Sequence, residues 1–511
     1  MQSKKTLMTS NEMRALEINA EYFGFDLLQL MELAGRNVTQ EIINRFSSEK
    51  KVAIFCGLGG NGGDGFVAAR NLLGAGFNVT ILLVGRDRDI KHKDALKNWN
   101  ILQSLTDYFS IVQITDSSAL PEITADIIVD AMLGTGTKGK LKPPISNIVD
   151  FINELKGFKI SIDIPTGIDS DTGDILGNAV KADLTVTFHK AKLGLERAKK
   201  YAGEIVVADI GLPSVMERFT GPGDVMLTNV QRRADAHKGD FGRLLVVGGS
   251  EVFSGAPALV SLAALRTGVD LVYLAAPQKV AQTISSMSPD LITIKLDCKN
   301  LKPSNVEEIK PYLSMVDAIV VGPGAGLKSE TMDFVKDFIE EVEKAGKPLV
   351  LDADAIKAFA KIKRPLKVPV ILTPHIGEYA ILTGEKVPEE LDERVSAIQK
   401  TAKQLNAVLL VKSKIDVICD SEHVKLNFSG NSGMTVGGTG DVLSGIVGGV
   451  LAMKTGAFQA AVAGAFVNGA AGDFVVNERG YHITASDLID WIPKILDDPM
   501  SHLKVKNASG K

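Results

Sequence analysis

Residues 427–449 read NFSGNSGMTVGGTGDVLSGIVGG, in which glycines surround one acid, Asp441, and an apolar run follows. A glycine-rich turn that feeds a helix leaves free backbone N–H groups at the positive end of the helix dipole, where a phosphoryl group of growing charge is stabilised. In such a place Gly437, Gly438, Thr439 and Gly440 donate N–H groups to a transferred phosphoryl group, and Asp441 accepts the proton of an attacking hydroxyl. The competing reading makes Asp441 a helix cap. A P-loop is not expected: in GPGAGLKS (322–329) Leu327 is inserted before Lys328-Ser329 and Pro323 interrupts the cradle.

Other polar residues in this half of the chain stand at the ends of apolar runs. His375 in LTPHIGE adjoins a turn, with a buried structural histidine as the alternative. Asp352 and Asp354 in LDADA form either a surface turn or a water-mediated contact to Mg2+. Lys412 closes the run VLLVK and suits a nucleotide phosphate.

In the first half, KVAIFC is followed by GLGGNGGDG (57–65), so Gly57, Gly59 and Gly62 satisfy GxGxxG between a strand and a helix. An ordinary dehydrogenase site is not expected. Asp64 puts negative charge where a pyrophosphate would sit, and the second strand ends in VGR without an acid for the ribose. Asp130 precedes GTGTKGK (134–140), and Asp163 precedes Pro165, Thr166 and Gly167 in SIDIPTGIDSDTG. In a parallel sheet these groups converge on the carboxyl edge. Asn61, Asp130 and Thr166 offer hard oxygen ligands for a monovalent or hard divalent cation. Capping of helices or turns is the alternative use of Asp130 and Asp163.

The elements that must position these residues form two series. KVAIFC (51–56), NVTILLVG (78–85), ADIIVDAML (125–133), KISIDIP (159–165), DLTVTF (183–188) and EIVVADIG (204–211) alternate with helical patterns. RLLVVGG (243–249), LVYLAAP (271–277), AIVVGPG (318–324), PLVLDAD (348–354), VILTPH (370–375) and AVLLVKS (407–413) begin the pattern again. Runs apolar on both faces and separated by helices predict parallel α/β sheets, hence two domains, 1–220 and 224–511, with a linker around Thr220 to Asp224. Met13, Leu16 and Ile18, then Leu27, Leu30 and Leu33, predict one or two leading helices. The closing segment SHLKVKNASGK is polar and expected to fray.

A chain of 511 residues exceeds one usual core, and its net charge of -4 offers no basic surface for nucleic acid, so small molecules are the expected partners. Cys56, Cys298 and Cys419 have neither disulfide nor zinc spacing and read as thiols of a reducing cytosol. MQSKKTLMTSNEMRALE lacks the apolar core of a signal peptide. The most apolar stretch, Val442 to Val476, is interrupted by Lys454, Gln459, Asn468 and Asp473, so no membrane span is predicted. The helix AAVAGAFVNGAAG (460–472) permits close packing within or between chains.

The strings LMELAG, CGLGGNGGDG, VDAMLGTGTKG, SIDIPTGIDSDTG and DIGLP, in this order, resemble the NAD(P)HX epimerase family over about residues 10–215. That resemblance implies a Rossmann-like domain that interconverts the epimers of hydrated NAD(P)H. It implies that Gly60, Asn61, Gly62, Gly63, Asp64, Gly134, Thr135, Gly136, Thr137, Lys138, Gly139, Lys140 and Asp163 bind substrate, with Asp163 catalytic, and that Asn61, Asp130 and Thr166 hold K+. The chain departs from the family at Gly60-Asn61, usually Asn-Asn, and at Leu33, usually Asn.

HKGDFG, LTPHIGE and GNSGMTVGGTGDVLSGIV resemble the ribokinase superfamily, and within it the ADP- or ATP-dependent NAD(P)HX dehydratase family, from about Asp235 onward. The implied reaction phosphorylates the hydroxyl of hydrated NAD(P)H and eliminates phosphate. Asp441 is then the general base and Gly437 to Gly440 the anion hole. Ala256, Gly326, His375 and Asp441 line the hydrated nucleotide, and Lys412, Ser413, Lys414, Ile415, Asp416 and Gly440 face the adenosine nucleotide. Lys412-Ser413 and Asp416 replace a usual Lys-Gly and Thr, and Asp270 a small residue.

The fused arrangement implies a cytoplasmic homo-oligomer that epimerises NADHX and NADPHX and dehydrates the S epimer, with K+, Mg2+ and ADP, which becomes AMP and phosphate. The rival readings are a small-molecule kinase of the same superfamily and a non-catalytic ligand-binding or scaffold module at the N-terminus.

Overall fold

The computed structural model describes residues 7–116, 120–228 and 232–506. The chain divides into two compact units, Met1–Met216 and Glu217–Lys511.

The first unit is built on a seven-stranded parallel sheet in the order Ser110–Ile114, Asn78–Val84, Lys51–Cys56, Ile127–Ala131, Phe158–Ile162, Leu184–Phe188, Glu204–Ala208. The central runs are apolar on both faces because both faces are covered, and they are buried along almost their whole length. Strand order reverses between Lys51–Cys56 and Ile127–Ala131, which opens a crevice beyond Cys56 and Ala131. Ser110–Ile114, absent from the sequence reading, is an edge strand only partly buried, so it lacks the continuous apolar signature.

Two helices lead into this sheet, Ser10–Tyr22 and Leu27–Arg45. Thr9 and Glu12 close a capping box on the first: Thr9 N–H donates to Glu12 Oε2 at 2.7 Å, and Glu12 N–H to Thr9 Oγ1 at 3.1 Å. Met13, Leu16 and Leu30 are buried as their spacing predicts, but Leu33 is 37% exposed. The buried stripe of the second helix runs instead through Leu30, Met31, Ala34, Val38 and Ile42. Gly35 sets that rotation: a Cβ there would lie 2.5 Å from Val67 Cβ and 2.6 Å from the Asp64 carbonyl oxygen, on the helix Gly60–Gly74. A short parallel pair, Leu7–Met8 with Ala191–Lys192, anchors the start of the leading helices.

The second unit carries a nine-stranded sheet: Ile292–Leu296, Leu271–Pro277, Arg243–Val247, Ala318–Val321, Leu349–Leu351, Val370–Leu372, Val408–Val411, Asp416–Cys419, Val424–Asn427. Only the last strands pair antiparallel, Asp416–Cys419 with Val408–Val411 and again with Val424–Asn427, the final two forming a hairpin. That hairpin and Ile292–Leu296 escape the sequence reading, since short or alternately exposed strands carry little apolar run. The two units have the α/β architecture expected, one on a seven-stranded parallel sheet and the other on a nine-stranded, largely parallel one.

The expected linker at Thr220 to Asp224 is instead part of the second unit. Thr220 is buried, donates its N–H to the Leu426 carbonyl oxygen and meets Asn427 through its hydroxyl, while Pro222–Met226 forms a short buried helix. GPG here starts a helix rather than breaking one, because proline in the first turn loses no hydrogen bond. The expectation of a frayed C-terminus also fails through Lys506. Pro499–His502 and Leu503–Lys506 are helical, and buried His502 meets Asp473 at 3.1 Å. Residues 507–511 lie outside the described part, as do residues 1–6.

The helix Ala457–Arg479 is buried from Ala460 to Val475, so its glycines and alanines serve packing inside this unit; Gly464 meets Val447 of the helix Thr439–Ala452. Among the described residues no helix is long and apolar enough to cross a membrane. The three cysteines are free, with Cys56 and Cys419 buried.

Substituting Gly35→Ala forces a methyl into backbone and lowers stability by about 1–3 kcal/mol. Gly74→Ala, in a helix with open space around it, is neutral or stabilising by up to about 1 kcal/mol. Urea denaturation of both variants checks the contrast.

Candidate active sites

In the first unit the sequence-predicted residues gather at the carboxyl edge of the sheet. A Cβ on Gly57 would lie 1.9 Å from the Met132 carbonyl oxygen, and one on Gly62 1.9 Å from that of Gly57. The turn closes on itself, which explains two of its glycines without a nucleotide.

Asp130 is buried and accepts four hydrogen bonds, from Met132 N–H at 3.3 Å, Thr166 Oγ1 at 2.7 Å, Thr166 N–H at 2.8 Å and Ser161 Oγ at 3.0 Å. Burial raises its pKa, and those donors pull it back. Thr166 Oγ1 also accepts from Leu133 N–H at 3.0 Å, tying Asp130 to the loop 134–140. Asn61 lies against Gly134, its side-chain oxygen and nitrogen both buried and without a hydrogen-bond partner. This oxygen-rich set fits a hard cation: Asn61 supplies an open oxygen, Asp130 a buried charge. Among the described residues no cluster of three or more His, Cys, Asp or Glu side chains is arranged for a metal.

The loop lysines point elsewhere. Lys138 Nζ pairs with Asp169 at 3.1 Å and Asp171 at 3.2 Å, and Lys140 runs alongside Gly177. Thr137 Oγ1 turns back to the Gly134 carbonyl oxygen at 3.0 Å, and the Thr135 carbonyl oxygen accepts from Ser170 at 3.1 Å.

Asp163 stands at the end of Phe158–Ile162 with φ +64°, a strained left-handed conformation of the kind found at functional sites. Its Oδ1 accepts from Lys192 Nζ at 2.6 Å and Thr187 Oγ1 at 3.1 Å. Lys192 is 1% exposed and also donates to Thr187 Oγ1 and the Phe188 carbonyl oxygen, each at 3.1 Å. Burial, then the charge of Asp163, lifts Glu17 to about 7, and Asp64 is raised well above the carboxylate range by burial, then Asp163 and Glu17. The sequence reading missed Lys192 and Glu17. The available signal was a lysine inside AKLGL, immediately beyond a strand end.

In the second unit Asp352, His375 and Lys412 all lie just past strand ends. Asp352 is buried and accepts from Thr373 Oγ1 at 2.8 Å, Lys412 Nζ at 3.2 Å and Ser444 Oγ at 2.7 Å. Ser444 belongs to the helix Thr439–Ala452, so Asp352 ties the sheet edge to the helix that carries Asp441. Lys412 Nζ would lie 3.2 Å from a Cβ placed on Gly440.

Asp441 sits in the first turn of that helix, and its carboxylate has no hydrogen-bond partner among the described residues. Burial, then the charge of Asp352, raises it to about 7 against the pull of Lys412. It is not the helix cap. Gly438 holds that position with φ +96°, and a Cβ there would lie 2.7 Å from Leu259 and 2.9 Å from Ala485. Gly437 faces open space, and Thr439 turns its hydroxyl back to the Met434 carbonyl oxygen at 2.9 Å.

Ala256 shares the helix Gly255–Arg266 with Leu259 and faces Gly324, while Gly326 N–H donates to Asp354 Oδ2 at 2.9 Å. Asp354 also holds Lys357 at 3.0 Å, so neither it nor Asp352 stands as an open metal ligand. His375 is a helix cap with an exposed side chain, its Nδ1 accepting from Gly377 N–H at 2.9 Å. Ser413, Lys414 and Ile415 lie in the turn between Val408–Val411 and Asp416–Cys419. Asp416 is folded inward, accepting from Ser413 N–H at 2.9 Å and Asn427 Nδ2 at 3.0 Å. Asp270 likewise has a local task, receiving Gly239 N–H at 2.7 Å and Phe241 N–H at 3.0 Å from the HKGDFG segment.

Residues 27–194 match the family described as YjeF-related protein N-terminus, and residues 244–494 the family described as NAD(P)H-hydrate dehydratase. The chain is 41% identical over 506 residues to the bifunctional NAD(P)H-hydrate repair enzyme of Pyrobaculum aerophilum, covering 96% of this chain and 98% of that one. The corresponding enzyme of Methanothermobacter thermautotrophicus is 42% identical, covering 96% and 95%. That of Archaeoglobus fulgidus is 44% identical, covering 96% and 98%. The chain belongs to the bifunctional NAD(P)H-hydrate repair enzyme family. A solved ADP/ATP-dependent NAD(P)H-hydrate dehydratase from Bacillus subtilis, co-crystallised with ATP/Mg2+, aligns at 27% identity and TM-score 0.47 over 55% of this chain and 98% of that one. As a member of the repair-enzyme family the chain is an enzyme with two activities, an epimerase in the first unit and a dehydratase in the second. Membership spanning both units sets aside the kinase and scaffold readings.

The uncompensated acid of the repair enzyme's second unit has a stability consequence. The folded pKa of Asp441 lies above its unfolded value, so between about 4 and about 7 the folded state binds more protons than the unfolded state. Its stabilising contribution is complete below the unfolded pKa and is lost as pH rises through about 7. Asp441→Asn therefore gains stability relative to the wild type from about pH 4 to about pH 8, read as a growing difference in urea midpoint.

Proposed function

We propose that the dehydratase reaction runs at the carboxyl edge of the second unit with Asp441 as general base. The observation that carries this is an unpartnered carboxylate poised near neutrality at a glycine-rich helix N-terminus, beside an anchored ammonium. The hydroxyl gained by hydration attacks the terminal phosphorus of ADP, and Asp441 takes its proton. Backbone N–H groups of Gly437, Gly438, Thr439 and Gly440 receive the growing phosphoryl charge. Lys412, held by Asp352, supports the same phosphates. Phosphate then departs with the carbon–oxygen bond and a proton leaves the neighbouring carbon, which restores the ring double bond and leaves AMP and phosphate.

Ala256, Gly326 and His375 line the hydrated nucleotide of the S epimer in this reading. Support for Ala256 is its place on the helix whose Leu259 meets Gly438, and for Gly326 its bond to Asp354, two residues beyond Asp352; His375 offers its exposed ring edge. Lys412, Ser413, Lys414, Ile415 and Gly440 face the donor nucleotide, while Asp416 fixes the hairpin that presents them. Mg2+ would neutralise the charge of the donor's phosphates; Asp352 and Asp354, already engaged by Thr373, Ser444 and Gly326, would take part only through water.

In the first unit Gly60, Asn61, Gly62, Gly63 and Asp64, the loop Gly134 to Lys140 and Asp163 take the hydrated cofactor for epimer exchange. Asn61, Asp130 and Thr166 would hold K+, which would supply fixed positive charge at that crevice. Three free thiols fit a reducing compartment, and we place the enzyme in the cytoplasm.

Racemic NADPHX incubated with ADP or ATP, with both epimers followed chromatographically, tests both units and the donor. ADP is expected to support faster recovery of NADPH absorbance; faster recovery with ATP displaces it as donor. Asp441→Asn should slow dehydration roughly 100- to 10,000-fold, and the wild-type rate should climb with pH through about 7 as the base ionises. Full dehydration by Asp441→Asn would sink the assignment.

A further inference from the structure

The exchange of epimers needs a proton donor and a proton acceptor, and the first unit encloses more acids than its buried ammonium can balance. Lys192 Nζ has three N–H bonds and places them on Asp163 Oδ1, Thr187 Oγ1 and the Phe188 carbonyl oxygen. Asp163 Oδ1 is thereby doubly engaged, whereas its Oδ2 accepts from none of the described residues. Glu17 and Asp64 also lack hydrogen-bond partners among the described residues, and both sit within electrostatic reach of Asp163 and Lys192.

We propose that Glu17 and Asp163 are the proton donor and proton acceptor of the epimer exchange, and that Lys192 is a positioning residue that fixes Asp163 through Oδ1 and leaves Oδ2 open. This rests on the reading of the first unit as the epimerase.

One ammonium compensates one carboxylate. Asp163 takes that partner, and burial, with the charge of Asp163 added, raises Glu17 to about 7 against the pull of Lys192 and Arg14, and raises Asp64 as well. A carboxyl paired with an ammonium and a second carboxyl without one differ in environment, as the acid and the base of a proton-transfer reaction must. Chain topology makes it reproducible. Leu7–Met8 pairs in parallel with Ala191–Lys192, and Ser10 donates from its N–H and its hydroxyl to Asp171 at 2.7 Å each. The helix Ser10–Tyr22 that bears Glu17 is thus pinned directly beside the strand that bears Lys192.

The chemistry balances without a redox partner. Hydration places the hydroxyl on the carbon bonded to the ring nitrogen. Glu17 protonates that oxygen, the carbon–oxygen bond breaks with its electron pair leaving as water, and the nitrogen lone pair forms a C=N+ bond. Water adds to the opposite face, forms the new carbon–oxygen bond and gives its proton to Asp163. One water leaves and one enters, and the proton has moved from Glu17 to Asp163. The resulting form of the enzyme, with the two roles exchanged, acts on the other epimer.

The test is exchange between resolved NADPHX epimers by the full chain in 18O-labelled water. The wild type is expected to incorporate one labelled oxygen per exchange. Glu17→Gln is expected to lower kcat at least about 100-fold with KM changed less than about threefold. Lys192→Arg, which keeps the charge, should recover part of the kcat lost in Lys192→Met; a purely structural lysine would leave kcat per folded molecule intact. If Glu17→Gln does not fold, Glu17→Asp should lower kcat at an unchanged melting midpoint, and unchanged kcat overturns the proposal. Wild-type exchange rates in Glu17→Gln, or exchange without label, overturn it while leaving the epimerase reading standing. No exchange by the wild type overturns both.

Discussion

Each unit sets a lysine, Lys192 buried and Lys412 partly buried, against several acids at the carboxyl edge of its sheet. Lys192 pairs with Asp163 in one and Lys412 with Asp352 in the other, and both carboxylates are neutralised at short range. Removing such a lysine leaves a buried charge unpaired, which costs about 3–5 kcal/mol in typical proteins, so each pair is a fixed point of its unit. Burial, then the charge of the neighbouring aspartate, raises Glu17 and Asp441 to about 7, against the pull of Lys192 and Arg14 on the first and of Lys412 on the second. Reactivity and rigidity come from the same pair.

Those fixed points depend on backbones that approach closely. Gly35 lets a leading helix seat on the helix after the glycine-rich turn, and Gly438 lets the Asp441 helix start against Leu259 and Ala485. Asp352 then accepts from Ser444 one helical turn beyond Asp441, which joins the sheet edge to the helix that carries Asp441. Strain accumulates at the same edge: Asp163 and Ala353 both have positive φ just past their strands, where the chain must turn sharply to aim side chains into the crevice.

The repair-enzyme reading was legible in glycine-rich strings and strand-end acids because these are contiguous in the chain. Partnerships across long stretches were not. Leu33 has helical spacing with Leu30 yet faces outward, because the packing partner and not the period chooses the buried face. The GPG of residues 221–223 reads as a break and is a helix start held by the 424–427 strand. Asp416 matches a nucleotide-facing position in sequence and turns inward to Asn427, eleven residues later.

The sequence by itself determined the two α/β units, the glycine turns, Asp441 and the cation-type oxygens, since apolar runs and local turn chemistry are written in neighbouring residues. Only the tertiary structure decided which acids have a cation and which do not. Lys192 reaches Asp163 from 29 residues away and Lys412 reaches Asp352 from 60, and charge balance in a buried recess is set by distances through space.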